Sequence, residues 1–135
     1  MKYFTIKELT KTSVQANNTP NAEQELNLIN LVEKILDPLR GAYGKPIYVN
    51  SGFRSKAVNE GLKKLGYKVA ENSQHMQGEA ADITGGSPEE NKKLFQMIAN
   101  GGYKFDQLID EQYYRWIHVS LKRNGQNRNQ MLHLT

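Results

Sequence analysis

The 135-residue chain contains no cysteine. That excludes disulfides, thiolate metal sites and a cysteine nucleophile, so any metal must be held by nitrogen and oxygen ligands. Long apolar runs are missing too, and no segment approaches the roughly 20 apolar residues that a membrane helix requires. The opening residues, MKYFTIKELTKTSVQANNTP, lack the apolar run and small-residue cleavage site of a secretory signal. The expectation is a chain without a membrane span, cytoplasmic at synthesis. Charge of one sign is not concentrated either. Lys and Arg number 18 against 14 Asp and Glu, a net charge of +4, and basic residues adjoin only as Lys63-Lys64, Lys92-Lys93 and Lys122-Arg123. With no basic motif interleaved with stacking aromatics, nucleic-acid binding is not expected.

What is present reads as a single globular domain. Hydrophobic residues make up 38% of the chain and charged residues 24%, and a chain of this length buries one core. Residues 1–20 hold a short docking segment, FTIKELT, followed by a connector. Asn21 has the character of an N-cap, with Glu23 and Glu25 in the first turn, where the helix dipole favours negative charge. Leu26, Ile29, Val32, Leu36 and Leu39 recur at helical spacing, which predicts an amphipathic helix over 22–40 with Pro38 kinking its last turn and Gly41 and Gly44 ending it. Ile47 to Val49 form a short β-rich run broken at Asn50-Ser51-Gly52. A second helix is predicted over about 55–65, a loop over 66–79 and a short strand at AADI. A third helix begins at Pro88 behind Ser87. FDQLID and RWIHVSL alternate and lie about four residues apart, which predicts a hairpin. Residues 122–135 read as a polar tail. The fold class is α+β, with helices packed on a small, mainly antiparallel sheet.

The chemistry concentrates in SQHMQGEAAD, residues 73–82. This stretch has neither a helical apolar stripe nor strand alternation, and it sets His75 seven residues before Asp82. In RWIHVSL, alternation puts His118 on one face with Trp116 and Ser120, while Ile117, Val119 and Leu121 point to the other. His75, Asp82 and His118 together would give two imidazoles and one carboxylate, with a fourth position left for water. That is the ligand set of a catalytic zinc rather than a structural one. A lone histidine is more often a hydrogen-bonded or surface group than a ligand, and His133, in the tail, is assigned no chemistry.

The motifs SGFRS (51–55), SQHMQGEAADI (73–83) and WIHVS (116–120) resemble, in order and approximate spacing, those of the zinc D-Ala-D-Ala carboxypeptidase family, the M15 peptidases. Bacterial and phage members of that family cut the peptide stems of peptidoglycan. The resemblance spans roughly residues 22–121, and its most specific element is S-x-H-x-x-G-x-A-x-D. It implies the small α+β fold of those peptidases, also seen in the hedgehog signalling domain, with His75, Asp82 and His118 as zinc ligands. It implies Arg54 as the arginine that contacts substrate and steadies the scissile carbonyl oxygen, and Ser73 as a serine that binds the substrate's backbone or terminal groups. Gly78 and Ala80 would be structural. The substrate implied is a peptidoglycan stem peptide, cut by a carboxypeptidase or an endopeptidase, with action at the cell wall after a phage-type release.

One position departs from the family pattern. Where several relatives carry an acidic general base, three residues before the last histidine, this chain has Arg115, which cannot accept a proton. Asp110 and Glu111, at the end of FDQLIDE, are the nearest acids, and Glu111 is the preferred base. If neither reaches the site, the chain would be a non-catalytic, zinc-containing module that binds cell-wall peptides. Trp116, Tyr113 and Tyr114 are expected to wall the cleft.

Overall fold

The computed structural model describes residues 1–135. Asn21 caps the first long helical stretch in both directions. Its Oδ1 accepts from the Gln24 amide at 2.8 Å, and the Gln24 Oε1 accepts from the Asn21 amide at 2.9 Å, a reciprocal box that satisfies two otherwise orphaned donors. The stretch divides into α2 (Ala22–Leu31), a π-helical turn (Val32–Leu36) and α3 (Asp37–Tyr43), behind a short α1 (Ile6–Leu9). The π-turn is the structure's answer to Pro38. A proline at that place has no N–H for the Lys34 carbonyl and its ring crowds that oxygen. The widened turn, in which the Asp37 amide reaches back to the Val32 carbonyl, lets the helix continue to Gly44, whose left-handed backbone (φ 75°) ends it.

Ser55 caps α4 (Lys56–Lys64) and Ser87 caps α5 (Pro88–Asn100). The loop expected over 66–79 contains a 3₁₀ turn, Gln74–Gln77. Five strands, β1 (Tyr48–Ser51), β2 (Ala80–Thr84), β3 (Gln107–Glu111), β4 (Trp116–Ser120) and β5 (Gln130–Leu134), form one sheet in the order β1-β2-β4-β3-β5. All pairings are antiparallel except β3 with β5. Alternation separates the two faces of the sheet. Ala81, Ile83, Leu108, Ile117 and Val119 join Leu28, Ile35, Leu39, Leu94 and Ile98 of the helices in the buried core. The other face carries Asp82, Glu111 and His118, and it is free for chemistry. The α+β class with a mainly antiparallel sheet is as the patterning predicts.

The closing residues correct one expectation: they are not a tail but the edge strand β5. What holds them is the pairing of the buried Asp106 with the exposed Arg128, which sequence periodicity does not reveal. Asp106, fully buried, accepts from Arg128 Nε at 3.1 Å, from Nη2 at 2.7 Å and from the Arg128 amide at 2.9 Å. The Arg128 hydrogen bonds outweigh burial and bring the Asp106 carboxyl down to about 2. Its unfolded value is about 3.9. The stability it contributes is therefore complete above that value and is lost as pH falls from about 4 towards 2. In wild-type protein we expect the amides of 130–134 to lose hydrogen-exchange protection across that window before those of β2 and β4. Arg128→Met should produce the same selective opening at neutral pH. Uniform loss across the sheet in either experiment would show that this pair does not hold β5 separately.

Candidate metal centre

Three elements bring the candidate ligands together. Asp82 and His118 are cross-strand neighbours in the β2–β4 pair, so their side chains rise side by side from the free face. His75 comes from the 3₁₀ turn, whose first residue is capped by Ser73, the Oγ accepting from the His75 amide at 3.1 Å. Gly78 closes that turn in the left-handed conformation (φ 75°), and a Cβ there would stand 2.3 Å from the Gln24 carbonyl oxygen. The turn is thus pressed against the start of α2, where Asn27 Nδ2 donates to the Gln77 carbonyl at 2.8 Å.

His75 is 2% exposed, and the tautomer of its neutral ring follows from its neighbours. Its Nδ1 lies 2.7 Å from the Gly52 carbonyl oxygen. A carbonyl only accepts, so Nδ1 carries the hydrogen, and in the neutral ring Nε2 is a bare lone pair. That lone pair faces Asp82 Oδ1 at 3.3 Å, while His118 Nδ1 approaches the same oxygen at 3.0 Å. A lone pair facing a carboxylate is repulsive unless a proton or a metal ion lies between them. The three donor atoms lie within 4.8 Å of one another. Tetrahedral zinc with bonds of about 2.0–2.2 Å holds neighbouring donors roughly 3.4 Å apart, close to the two separations at Asp82 Oδ1. The residues fit one divalent cation.

A cleft of about 880 Å³ opens onto this group, lined also by Arg54, Ser73, Glu111 and Trp116. The Arg54 Nη2 lies 3.4 Å from Ser73 Oγ, and its Nε is buried with no partner. Burial pushes the guanidinium down from its ordinary value, opposed by the charges of Asp82 and Glu111. Glu111 stands opposite Trp116 across the β3–β4 pair and accepts from the indole Nε1 at 3.2 Å. Asp110 faces the other way, buried and bonded to His133. The exposed Arg115 donates to Gln112 in the turn. The tyrosines do not wall the cleft as expected: Tyr113 is exposed, and Tyr114 packs edge-on against Phe95 on the helical side.

Sequence reasoning does not find the Gly52 carbonyl, because main-chain groups leave no residue-type signal. The break it found at Asn50-Ser51-Gly52 marks the right place. Any side chain at Gly52 would meet the Leu9 carbonyl oxygen at 2.3 Å.

The family model described as Peptidase M15 matches residues 2–120 of the chain. No curated protein matches it.

Metal binding tests this geometry directly. We expect about one equivalent of zinc per chain by elemental analysis, lost in His75→Ala, Asp82→Ala and His118→Ala. Free zinc at 100 times its Kd should stabilise the wild type by about 2.7 kcal/mol and leave those variants unmoved. Zinc uptake by all three variants would place the metal elsewhere.

Proposed function

The chain belongs to the peptidase M15 family, and from that premise we propose that it is a zinc-dependent peptidase acting on peptidoglycan stem peptides. It would cut an amide bond there as a D-Ala-D-Ala carboxypeptidase or a related endopeptidase. The observation that carries the reading is the bare His75 Nε2, turned with His118 Nδ1 onto Asp82 Oδ1 at the wall of a cleft shared with Arg54 and Glu111. His75, Asp82 and His118 would hold zinc, which would supply Lewis acidity to polarise a carbonyl and lower the pKa of water towards neutrality.

The remaining chemistry belongs to the chain's own residues. Glu111 is the general base: it takes a proton from the attacking water and passes it to the leaving amine. The Trp116 indole N–H on its Oε2 orients the carboxylate towards the cleft. The position that holds an acid in several relatives is Arg115 here, in the turn, so the base is supplied by the end of β3 instead. Arg54 pairs with the negative charge that develops on the carbonyl oxygen, or clamps a substrate carboxylate. The unpartnered Nε leaves it donors to spare. Ser73, next to Arg54, binds the substrate's main chain or terminus.

We expect Glu111→Gln to keep its zinc while digestion of purified muropeptides falls by about 10²–10⁴, the range of general acid–base contributions. Digestion unaffected by Glu111→Gln would remove Glu111 from the mechanism. Zinc-loaded wild type that cuts no stem peptide would make the chain a binding module.

A further inference from the structure

The segment between α1 and α2 reads as a bare connector, yet one residue in it uses its whole side-chain amide. Asn18 Nδ2 donates to the Thr10 carbonyl at 2.7 Å and to the Phe53 carbonyl at 2.9 Å, and its Oδ1 accepts from the Ser55 amide at 2.7 Å. Two of these three bonds fall on the residues immediately before and after Arg54. The Arg54 amide itself donates to the His75 carbonyl at 3.1 Å, and Ser55 Oγ donates to the Asn17 carbonyl at 2.7 Å. The main chain at Arg54 is therefore gripped on both sides by one side chain and tied in the middle to the turn that bears His75.

The Arg54 head group is held far less firmly. Its one side-chain bond, to Ser73, is 3.4 Å long, at the weak end of hydrogen-bond geometry. With so little holding the head group itself, the held main chain at 53–55 sets the range the guanidinium can reach. We propose that Asn18 is a positioning residue for Arg54, setting the distance between the guanidinium and the metal group by fixing residues 53–55. The proposal rests on the reading of Arg54 as the group that meets the substrate. Asparagine suits the task because it offers two donors and an acceptor on one short, planar head. Aspartate keeps the acceptor for Ser55 but sets a negative oxygen against the carbonyls of Thr10 and Phe53.

The test uses the full chain loaded with zinc, comparing Asn18→Asp and Asn18→Ala in the wild-type and Arg54→Ala backgrounds. In the wild-type background kcat/KM on muropeptides should fall roughly tenfold, the scale on which misplaced positioning groups are felt, with zinc stoichiometry unchanged. In the Arg54→Ala background the same change should cost less than about twofold, because coupled residues are non-additive. Equal losses in both backgrounds would make Asn18 a general structural residue and overturn the proposal. Hydrogen exchange gives a reading independent of catalysis: the Arg54 amide should lose protection in the Asn18 variants while β2 and β4 keep theirs. Unchanged protection at Arg54 overturns the proposal whatever the activity. Lost protection in a protein whose wild type cuts nothing keeps Asn18 as the clamp and sinks the peptidase reading instead. If Asn18→Asp does not fold, Asn18→Ala carries the same comparison.

Discussion

The hydrogen bond from His75 Nδ1 to the Gly52 carbonyl decides the state of the whole site. It sets the tautomer of a nearly inaccessible imidazole, and so leaves the Nε2 of the neutral ring turned towards Asp82 and available to a metal. A metal-bound histidine ordinarily gives its other ring N–H to a carbonyl or carboxylate, which fixes ring orientation and raises ligand basicity. Here the partner is main chain, so its position depends on the path of residues 52–54. That path is itself held from the other side. The Phe53 amide donates to the Leu9 carbonyl at 2.7 Å, and only a glycine at position 52 allows Leu9 so close. Leu9 and Phe4 are buried in the core, so the small N-terminal helix acts as a buttress behind the metal group.

The sheet performs the second task, which is separation. Strand alternation sends the apolar residues of β2 and β4 towards the helices and their polar neighbours, Asp82 and His118, towards the cleft. On β3 the same rule distinguishes two adjacent acids. Asp110 lies on the helical side, bonded to His133 across the β3–β5 pair, and Glu111 lies on the cleft side beside Trp116. A one-residue slip in the β3–β4 register would exchange them. Part of what guards against such a slip is Asn91. It is fully buried, accepts from Gly85 and Thr84, and donates to the carbonyls of Tyr114 and Arg115. It thereby braces a turn in which Gln112, Tyr113 and Tyr114 all have positive φ.

Much of this was legible in the sequence. Periodicity and caps reveal α2, α4 and α5 because those signals are local. The spacing of His75, Asp82 and His118 is informative because a turn, a strand and a hairpin must all be present to bring them together. What was not legible depends on long-range partners. The closing strand β5 has little hydrophobic alternation, and it is held by Arg128 on an aspartate 22 residues earlier. The π-turn before Pro38 is a main-chain adjustment, the Asp37 amide reaching back to the Val32 carbonyl, that residue types alone do not announce. The asparagines at 18 and 91 look like ordinary polar residues until the carbonyls they hold are known. The Gly52 carbonyl carries no side-chain signature at all.

Arg115 is best understood through the same logic of faces. A residue three positions before His118 lies outside β4, in the turn, and its side chain bonds Gln112 at the surface. Glu111 occupies the last position of β3, directly across from Trp116, and so is the diagonal neighbour of His118 on the cleft face. Diagonal neighbours on adjacent antiparallel strands are about 7–8 Å apart at the backbone, within reach of long side chains. The hairpin thus places the Glu111 carboxylate among the residues lining the cleft onto which His75, Asp82 and His118 open, and Arg115, which follows the turn, is a surface residue. On the proposed reading of Glu111 as general base, an arginine at 115 leaves the cleft its acid, because that acid comes from the neighbouring strand.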